Sequence, residues 1–175
     1  PLDQNLISQV SNQEVNEDSA MGKLNSIHRL AKSFYHHILV NTQIGKAALE
    51  YLLDRGMTRE TIDEFELGFS PPQRNALYLY FDSQKDVAFD IETYQNSGLF
   101  SINHSPESDE FLDRFSNRII FPLHNEQGKT IGFSGRIFDN ENKSFQTAKY
   151  LNTPETPLFN KSKVIYNFDK AKASI

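Results

Sequence analysis

The N-terminal half of the chain has the hydrophobic spacing of helices. From about Leu24 onward, apolar residues recur every three or four positions, and Ser26 stands where a helix cap is expected. A second helix is expected to end just before Gly56, which has the position of a helix C-cap glycine. Beyond the first helix, the pattern predicts helices at about 44–53, after Thr58, at about 76–81 and at about 87–96.

The C-terminal half changes to a strand pattern. Residues 118–123 and 129–138 are apolar, β-prone runs, and the polar turn between them ends at Gly128, so a hairpin is predicted. A short strand at 164–166 and a helix that begins at Asp169 follow. Helices followed by strands predict an α+β fold, in which a helical N-terminal half packs on a small, mainly antiparallel sheet.

Polar stretches set the expected domain boundaries. Residues 1–22 are rich in Asn, Gln, Ser and Glu and predict a flexible linker or tail. Residues 102–110 and 140–147 predict exposed loops. Residues 23–168 would then be one domain, and residues 169–175 the start of a truncated helix that is too short to be stable alone. We therefore expect the sequence to be a fragment of a longer protein.

Composition narrows the class of protein. The 175 residues are 38% hydrophobic and 12% aromatic, which fits one domain with a substantial core. The chain has no cysteine, so disulfides and cysteine-ligated zinc are excluded within it, and a reducing cytoplasm is the expected compartment. No apolar run is long enough for a membrane span. His36 and His37 are adjacent and point about 100° apart on a helix, so no metal site is predicted.

The net charge of −5 hides a strong asymmetry along the chain. Residues 1–117 contain 9 Lys and Arg against 18 Asp and Glu, whereas residues 118–175 contain 9 against 5. Phosphate contacts need a basic surface. An anionic partner is therefore expected on the C-terminal half, and this expectation holds despite the acidic total.

The segment from Lys149 to Lys161 is the least regular part of the basic half. It combines two lysines, a tyrosine, two asparagines and two prolines without a helical or strand period. Because prolines are excluded from helix interiors and central strands, a rigid, extended loop is predicted. Such a loop either holds a ligand or is a solvated connection fixed to the core by Leu158 and Phe159.

Two arginines stand in positions that admit more than one interpretation. Arg136 follows Gly132 and Gly135 on the second strand, where glycines mark either the close approach of a partner or a bulged, twisted hairpin. Arg55 lies in the last turn of the second helix, where it either binds a ligand or complements the helix dipole.

Seven segments follow one another along the chain: Tyr51 to Gly56, Leu67 to Pro72, Arg118 to Pro122, Gly132 to Arg136, Lys149 to Thr156, Phe159 to Lys161 and Ile165 to Tyr166. Taken in this order, they resemble the catalytic core of bacterial replicative primases of the DnaG type. Ser134, Ser162 and Asn167 stand where that family commonly has glycine, which affects local backbone geometry more than the cationic positions.

The resemblance implies a part of a DNA-templated RNA polymerase that makes primers for DNA replication. It implies contact with single-stranded DNA template, RNA primer and nucleoside triphosphates, and a replicative helicase bound through regions outside this fragment. Metal-dependent nucleotidyl transfer, with Mg or Mn, would reside in a following Toprim part, and Zn in a preceding domain. The fragment alone would bind no cofactor, be inactive, and belong to the cytoplasm at the replication fork, with no membrane partner.

The resemblance also assigns the binding residues. It implies no catalytic residue in the fragment, because the Asp-x-Asp pattern of the metal site does not occur in this sequence. The residues assigned to nucleic-acid or nucleotide binding are Arg55, Arg118, Arg136, Lys149, Tyr150, Asn152 and Lys161.

Two other functions compete with this interpretation. The acidic helices would suit a non-catalytic module that docks another protein of a replication assembly. A small domain that binds a phosphorylated ligand is the other alternative, although the sequence has no P-loop or dinucleotide fingerprint.

Overall fold

The computed structural model describes residues 18–84, 88–104, 106–107, 109–138 and 148–163. Most of the predicted linker, the loop at 140–147, the strand at 164–166 and the helix from Asp169 lie outside these residues. Within them the helices are α1 (Ala20–Asn41), α2 (Lys46–Asp54), α3 (Arg59–Glu64), α4 (Ala76–Ser83) and α5 (Ile91–Asn96). The strands are β1 (Gly68–Ser70), β2 (Phe100–His104), β3 (Asp109–Asp113), β4 (Arg118–His124), β5 (Thr130–Ile137) and β6 (Tyr150–Asn152).

Helix α1 begins earlier than the sequence pattern predicts. Its cap is Ser19, whose hydroxyl accepts a hydrogen bond from the Gly22 amide at 3.0 Å, and the predicted cap Ser26 lies inside the helix. The expected boundary between residues 22 and 23 therefore falls within the first helical turn. The prediction of Ser26 as the cap was wrong because Met21 and Gly22 show no apolar helical period. The helix begins earlier because the Ser19 hydroxyl satisfies a free amide of the first turn.

The other helices lie close to their predicted positions. Thr58 caps α3 by accepting a hydrogen bond from the Thr61 amide at 3.1 Å, and Gly56 has the positive φ of 89° expected of a glycine at a helix end. Helix α5 begins only at Ile91, after its cap Asp90. In the part of the chain described, no helix combines the length and the apolar composition needed to cross a bilayer.

The strands form two antiparallel sheets. The larger sheet has the order β1, β4, β5, β6, and Gly128 at the β4–β5 turn has a positive φ of 76°. Strands β2 and β3 pair as a separate ribbon, so the prediction of a loop was wrong for residues 102–104 and 109–110, although most described residues of this stretch are exposed, as predicted. The acidic residues of this stretch favoured a loop in the prediction, but the stretch contains parts of two short strands that the buried Phe100 and Phe111 anchor. The α+β architecture itself is as predicted.

The large sheet is covered unequally on its two faces. On one face α1 packs along the sheet, with Ile27 and Tyr35 against Ile120 and Phe133. On the other face α2 and α3 cover only the end nearest β1, where Leu52 and Ile62 pack on Phe69 and Ile119. The remainder of this second face, toward β6, is left open.

Contact between α1 and β1 is so close that it requires glycine at position 68. A Cβ atom built on Gly68 would lie 2.5 Å from the Tyr35 Cβ and 2.7 Å from the Tyr35 carbonyl carbon. These Tyr35 atoms cannot move aside independently of the core, because Tyr35 is fully buried and packs against Phe133 at a ring-centroid distance of 5.6 Å.

We expect Gly68→Ala to lower the free energy of unfolding by about 2 to 3 kcal/mol, because the added methyl forces α1 and β1 apart. Gly56→Ala is the matched control. It meets nothing within 4 Å and should cost only the strain of its positive φ, about 1 kcal/mol. Urea denaturation of both variants measures the difference, and equal losses would show that the close approach at Gly68 is not limiting.

Asp113 joins the small ribbon to helix α4. Its carboxylate, 6% exposed, accepts hydrogen bonds from the amides of Leu77 at 2.8 Å and Tyr78 at 3.3 Å. Burial raises the pKa of this carboxyl to about 6, and the hydrogen bonds from the start of α4 only partly oppose the effect of burial. Asp113 therefore binds a proton more tightly in the folded chain than in the unfolded chain.

Because the folded-state pKa is raised, the stability that protonated Asp113 contributes is present at low pH and is lost as the pH rises through about 6. Relative to Asp113→Asn, the wild-type free energy of unfolding should fall by about 1 kcal/mol more between pH 5 and pH 7. Urea denaturation at both pH values measures it. Parallel pH profiles would mean that Asp113 stays ionised in the folded chain.

Candidate nucleic-acid interface

The open face of the large sheet contains a groove of about 680 Å³. Its lining is apolar at the floor and polar at the edge that β6 and the following loop provide. The lining residues are Met57, Phe121, Leu123, Ser134, Tyr150, Asn152, Phe159 and Lys161.

Strand register explains why these side chains meet. Phe121 of β4 pairs with Ser134 of β5, which pairs with Asn152 of β6, so the three side chains form a row across the sheet. Side chains alternate between the faces of a strand, so Arg136 and its partner Tyr150 form a second row on the same face. Strand register therefore brings together three of the seven residues assigned from the sequence, namely Arg136, Tyr150 and Asn152.

Tyr150 is the most accessible aromatic side chain of this face. It is 54% exposed, although a large hydrophobic side chain is normally buried. The prediction that Lys149–Lys161 has no strand period is wrong at this point, because Tyr150–Asn152 pairs with β5 as strand β6. An exposed aromatic ring held on a strand is a suitable platform for stacking a nucleobase.

The rest of the segment, residues 153–161, is held in place by hydrogen bonds, which is consistent with the rigid loop predicted. The Thr153 hydroxyl accepts from the Phe133 amide at 2.8 Å, which ties the loop to β5. The Thr156 hydroxyl accepts from the amide of Phe159 at 3.0 Å, and Phe159 is buried. Lys161 comes two residues after Phe159. Its amide donates a hydrogen bond to the Glu155 carboxylate at 2.9 Å, and the residue lines the groove.

Arg136 of the Tyr150 row shares a tyrosine ring with a second arginine, Arg55. The Arg136 guanidinium donates a hydrogen bond to the Tyr51 hydroxyl of α2, and its Cζ atom is 5.2 Å from the centre of the Tyr51 ring. The Cζ atom of Arg55, at the end of α2, is 4.9 Å from the same ring. Arg55 thus joins Arg136 through Tyr51, a residue that the sequence interpretation did not assign to binding.

Arg118 does not join this site. It is only 4% exposed and lies on the opposite sheet face, where its Nη1 donates to the Gly135 carbonyl at 3.1 Å and to the Ala148 carbonyl at 3.0 Å. Burial lowers the pKa of its guanidinium from the ordinary value. The structure thus places this arginine as a link between β5 and the start of β6, away from the groove.

The glycines of β5 also have an internal explanation. A Cβ on Gly132 would lie 3.0 Å from the Thr153 hydroxyl, and one on Gly135 would lie 2.7 Å from the Phe115 ring. Their space is occupied by the chain itself, so the interpretation of these glycines as the approach of an anionic partner is not supported. A bulge at Leu123 and His124 matches the alternative interpretation of an irregular hairpin.

Lys149 is exposed but is not among the residues that line the groove. Its carbonyl accepts a hydrogen bond from the Ile137 amide at 2.9 Å, so its backbone extends the β5–β6 pairing. Sequence reasoning also missed Phe121, Met57 and Ser134 at the groove. The alternation of β4 and β5 gave a signal for Phe121 and Ser134, whereas Met57 reaches the groove only through the packing of α2 and α3.

Local electrostatics favour an anion at this face. The cations beside the groove are Arg55, Arg136 and Lys161, and none of them takes part in an ion pair within the described residues. The same residues contain no group of three His, Asp or Glu side chains arranged to hold a metal ion. The groove therefore offers positive charge and an aromatic surface, which suit phosphates and bases.

A family model for the DNA primase catalytic core, N-terminal domain, matches residues 34–172. The chain belongs to this family. Among its primase relatives, the DNA primase of Enterococcus faecalis is 43% identical over 160 residues, which cover 91% of this chain and 24% of that protein. The DNA primase of Geobacillus stearothermophilus is 41% identical over 148 residues, which cover 85% of this chain and 23% of that protein. The chain thus spans about a quarter of the length of these relatives.

Solved primase structures have the same fold. A DnaG primase catalytic domain bound to ssDNA superposes with a TM-score of 0.74 at 28% identity, covering 89% of this chain and 44% of that chain. The RNA polymerase domain of Mycobacterium tuberculosis primase DnaG gives a TM-score of 0.72 at 29% identity, covering 87% of this chain and 46% of that chain. The resemblance found in the sequence motifs is thereby confirmed.

The opposite orientations of Arg118 and Arg136 predict different roles. Arg118→Ala should lower the free energy of unfolding by about 2 to 3 kcal/mol, because the buried Gly135 carbonyl and the part-buried Ala148 carbonyl lose a charged donor. Arg136→Ala should cost no more than about 1 kcal/mol, because its guanidinium is part-exposed. Urea denaturation compares the two variants, and an equally small loss for both would contradict the structural role of Arg118.

Proposed function

We propose that this chain holds template and substrate for a DNA primase, the DNA-directed RNA polymerase that makes RNA primers for DNA replication. The observation that carries the proposal is the continuous row of Arg55, Tyr51, Arg136 and Tyr150 beside an apolar groove. A row of guanidinium groups and aromatic rings offers alternating sites for phosphates and bases, which is the chemistry of a single strand.

Each side chain has a specific task in this proposal. Arg55, Arg136 and Lys161 contact phosphate oxygens, the guanidinium groups through two donors at once and the lysine as a point charge. Tyr150 stacks on a base or a ribose, and Asn152, next to it on β6, hydrogen-bonds a sugar, a base edge or a phosphate. Lys149 adds positive charge at the outer edge.

The comparisons support a DNA partner. One primase of the same fold is a catalytic domain bound to ssDNA, and the Mycobacterium tuberculosis domain has been solved in complex with a double-stranded DNA oligomer with a 6-nucleotide overhang. We extend these partners to this chain. Contacts with RNA primer and with nucleoside triphosphates at the same face are part of the proposal.

Chemistry at the bond-forming step belongs, in this proposal, to a Toprim part outside these residues. The fit of metals to the described residues is poor, since they contain no cluster of three possible ligands and the sequence has no cysteine. Mg or Mn is therefore proposed for the Toprim part and Zn for a separate domain, and no step here passes through them. Contact with a replicative helicase at the cytoplasmic replication fork is likewise assigned to other regions.

The proposal predicts salt-dependent binding of single-stranded DNA by this groove. The variant with both Arg136→Ala and Lys161→Ala should lose two phosphate contacts. The slope of log affinity against log salt concentration should then become shallower by about 1.4, because each contact on a single strand contributes about 0.7. Fluorescence anisotropy of a labelled oligothymidylate, across about 50 to 200 mM salt, measures the slope.

The matched control removes two charges elsewhere, by Arg29→Ala with Arg74→Ala. Both residues are exposed and neither lines the groove, so affinity and slope should remain those of the wild type. Two results would contradict the proposal: no salt-dependent binding by the wild type, or equal effects of both double variants. Either would favour the alternative, a protein-docking module that uses the acidic helices.

A further inference from the structure

We infer that Tyr51 is a positioning residue that holds Arg55 and Arg136 as a pair for one phosphate group. This inference rests on the proposed function and deepens it, because it names a residue that acts through the two arginines. The two guanidinium groups come from different elements, the end of α2 and strand β5, and meet only at the Tyr51 ring.

The geometry brings like charges together. With Cζ distances of 4.9 and 5.2 Å to one ring centre, the two guanidinium carbons cannot be more than about 10 Å apart. Such a pair is repulsive, and neither arginine has an ion-pair partner within the described residues. An anion placed between them removes the repulsion and receives charge-assisted hydrogen bonds from both sides.

Tyr51 is suited to fix this pair. Its ring is half-buried and packs edge-on against Phe138 at 5.8 Å, and its neighbour Leu52 is buried in the core beneath α2. The ring face attracts the two cations, and the hydroxyl accepts from Arg136. Because the ring is already held by the core, the arginines lose less conformational freedom when a phosphate binds.

The phosphate has two possible sources with one chemistry. It is either a phosphodiester of the bound strand or part of the triphosphate of an incoming nucleotide. Both present oxygens to a guanidinium fork in the same way. Separate titrations with oligothymidylate and with ATP distinguish the two sources.

The first test uses Tyr51→Leu and Tyr51→Phe in this chain. Tyr51→Leu keeps apolar bulk but loses both the ring and the hydroxyl, so affinity for the ligand that supplies the phosphate should fall about tenfold. If that ligand is oligothymidylate, measured by anisotropy, the salt slope should become shallower by about 0.7, the loss of one phosphate contact. If it is ATP, the ATP titration should weaken instead. Tyr51→Phe restores the ring and should recover most of the affinity and of the slope.

Tyr80→Leu is the matched control, because Tyr80 is also a half-buried helical tyrosine but packs on Phe34 and Phe81 away from the groove. Its salt slope should equal that of the wild type. If Tyr51→Leu lowers the melting temperature but keeps the wild-type affinity for both oligothymidylate and ATP, Tyr51 is only structural and the inference is wrong. If the wild type itself does not bind oligothymidylate or ATP, the proposed function fails instead.

A second test does not depend on losing the ring. The chain has no tryptophan, so Tyr51→Trp introduces one fluorophore at the arginine pair while keeping an aromatic face for both cations. Its emission should change when oligothymidylate binds if the phosphate belongs to the strand, and when ATP binds if it belongs to the nucleotide. A wild-type-like affinity with no change of emission for either ligand would overturn the inference.

Discussion

The close packing of β1 on α1 at Gly68 determines how the rest of the molecule is arranged. Because no Cβ separates Gly68 from Tyr35, the sheet lies directly on the helix, and Phe133 of β5 reaches the same tyrosine. One face of the sheet is thereby filled by α1. The proposed binding residues lie on the other face, which α2 and α3 cover only near β1.

That unequal coverage reconciles the acidic total charge with the proposed nucleic-acid site. Acidic residues concentrate in the N-terminal half, which supplies the helices, whereas three cations without ion-pair partners in the described ranges lie beside the groove. A phosphate responds to the local potential within about 8 to 10 Å and much less to distant charges. The net charge therefore says little about whether this fold suits an anionic partner. The positions of the cations are the relevant observation.

The sequence predicted the helices and the β4–β5 hairpin well, since long apolar periods and a turn glycine are local signals. It predicted Arg136, Tyr150, Asn152 and Lys161 beside one another only through the resemblance to primases. It could not orient Arg118, because the face of a strand residue depends on register with other strands. Nor could it find Tyr51, whose contact with Arg136 joins a helix to a strand far away in the chain.

The chemistry of the groove also favours one form of nucleic acid. A duplex presents phosphates and base edges to a protein, but its base faces are stacked inside. The exposed ring of Tyr150 beside the apolar floor around Phe121 suits stacking on a base face, which a duplex hides. The adjoining guanidinium groups can bind phosphates of either form. We therefore propose that stacking on Tyr150 is the interaction that selects a single strand over a duplex.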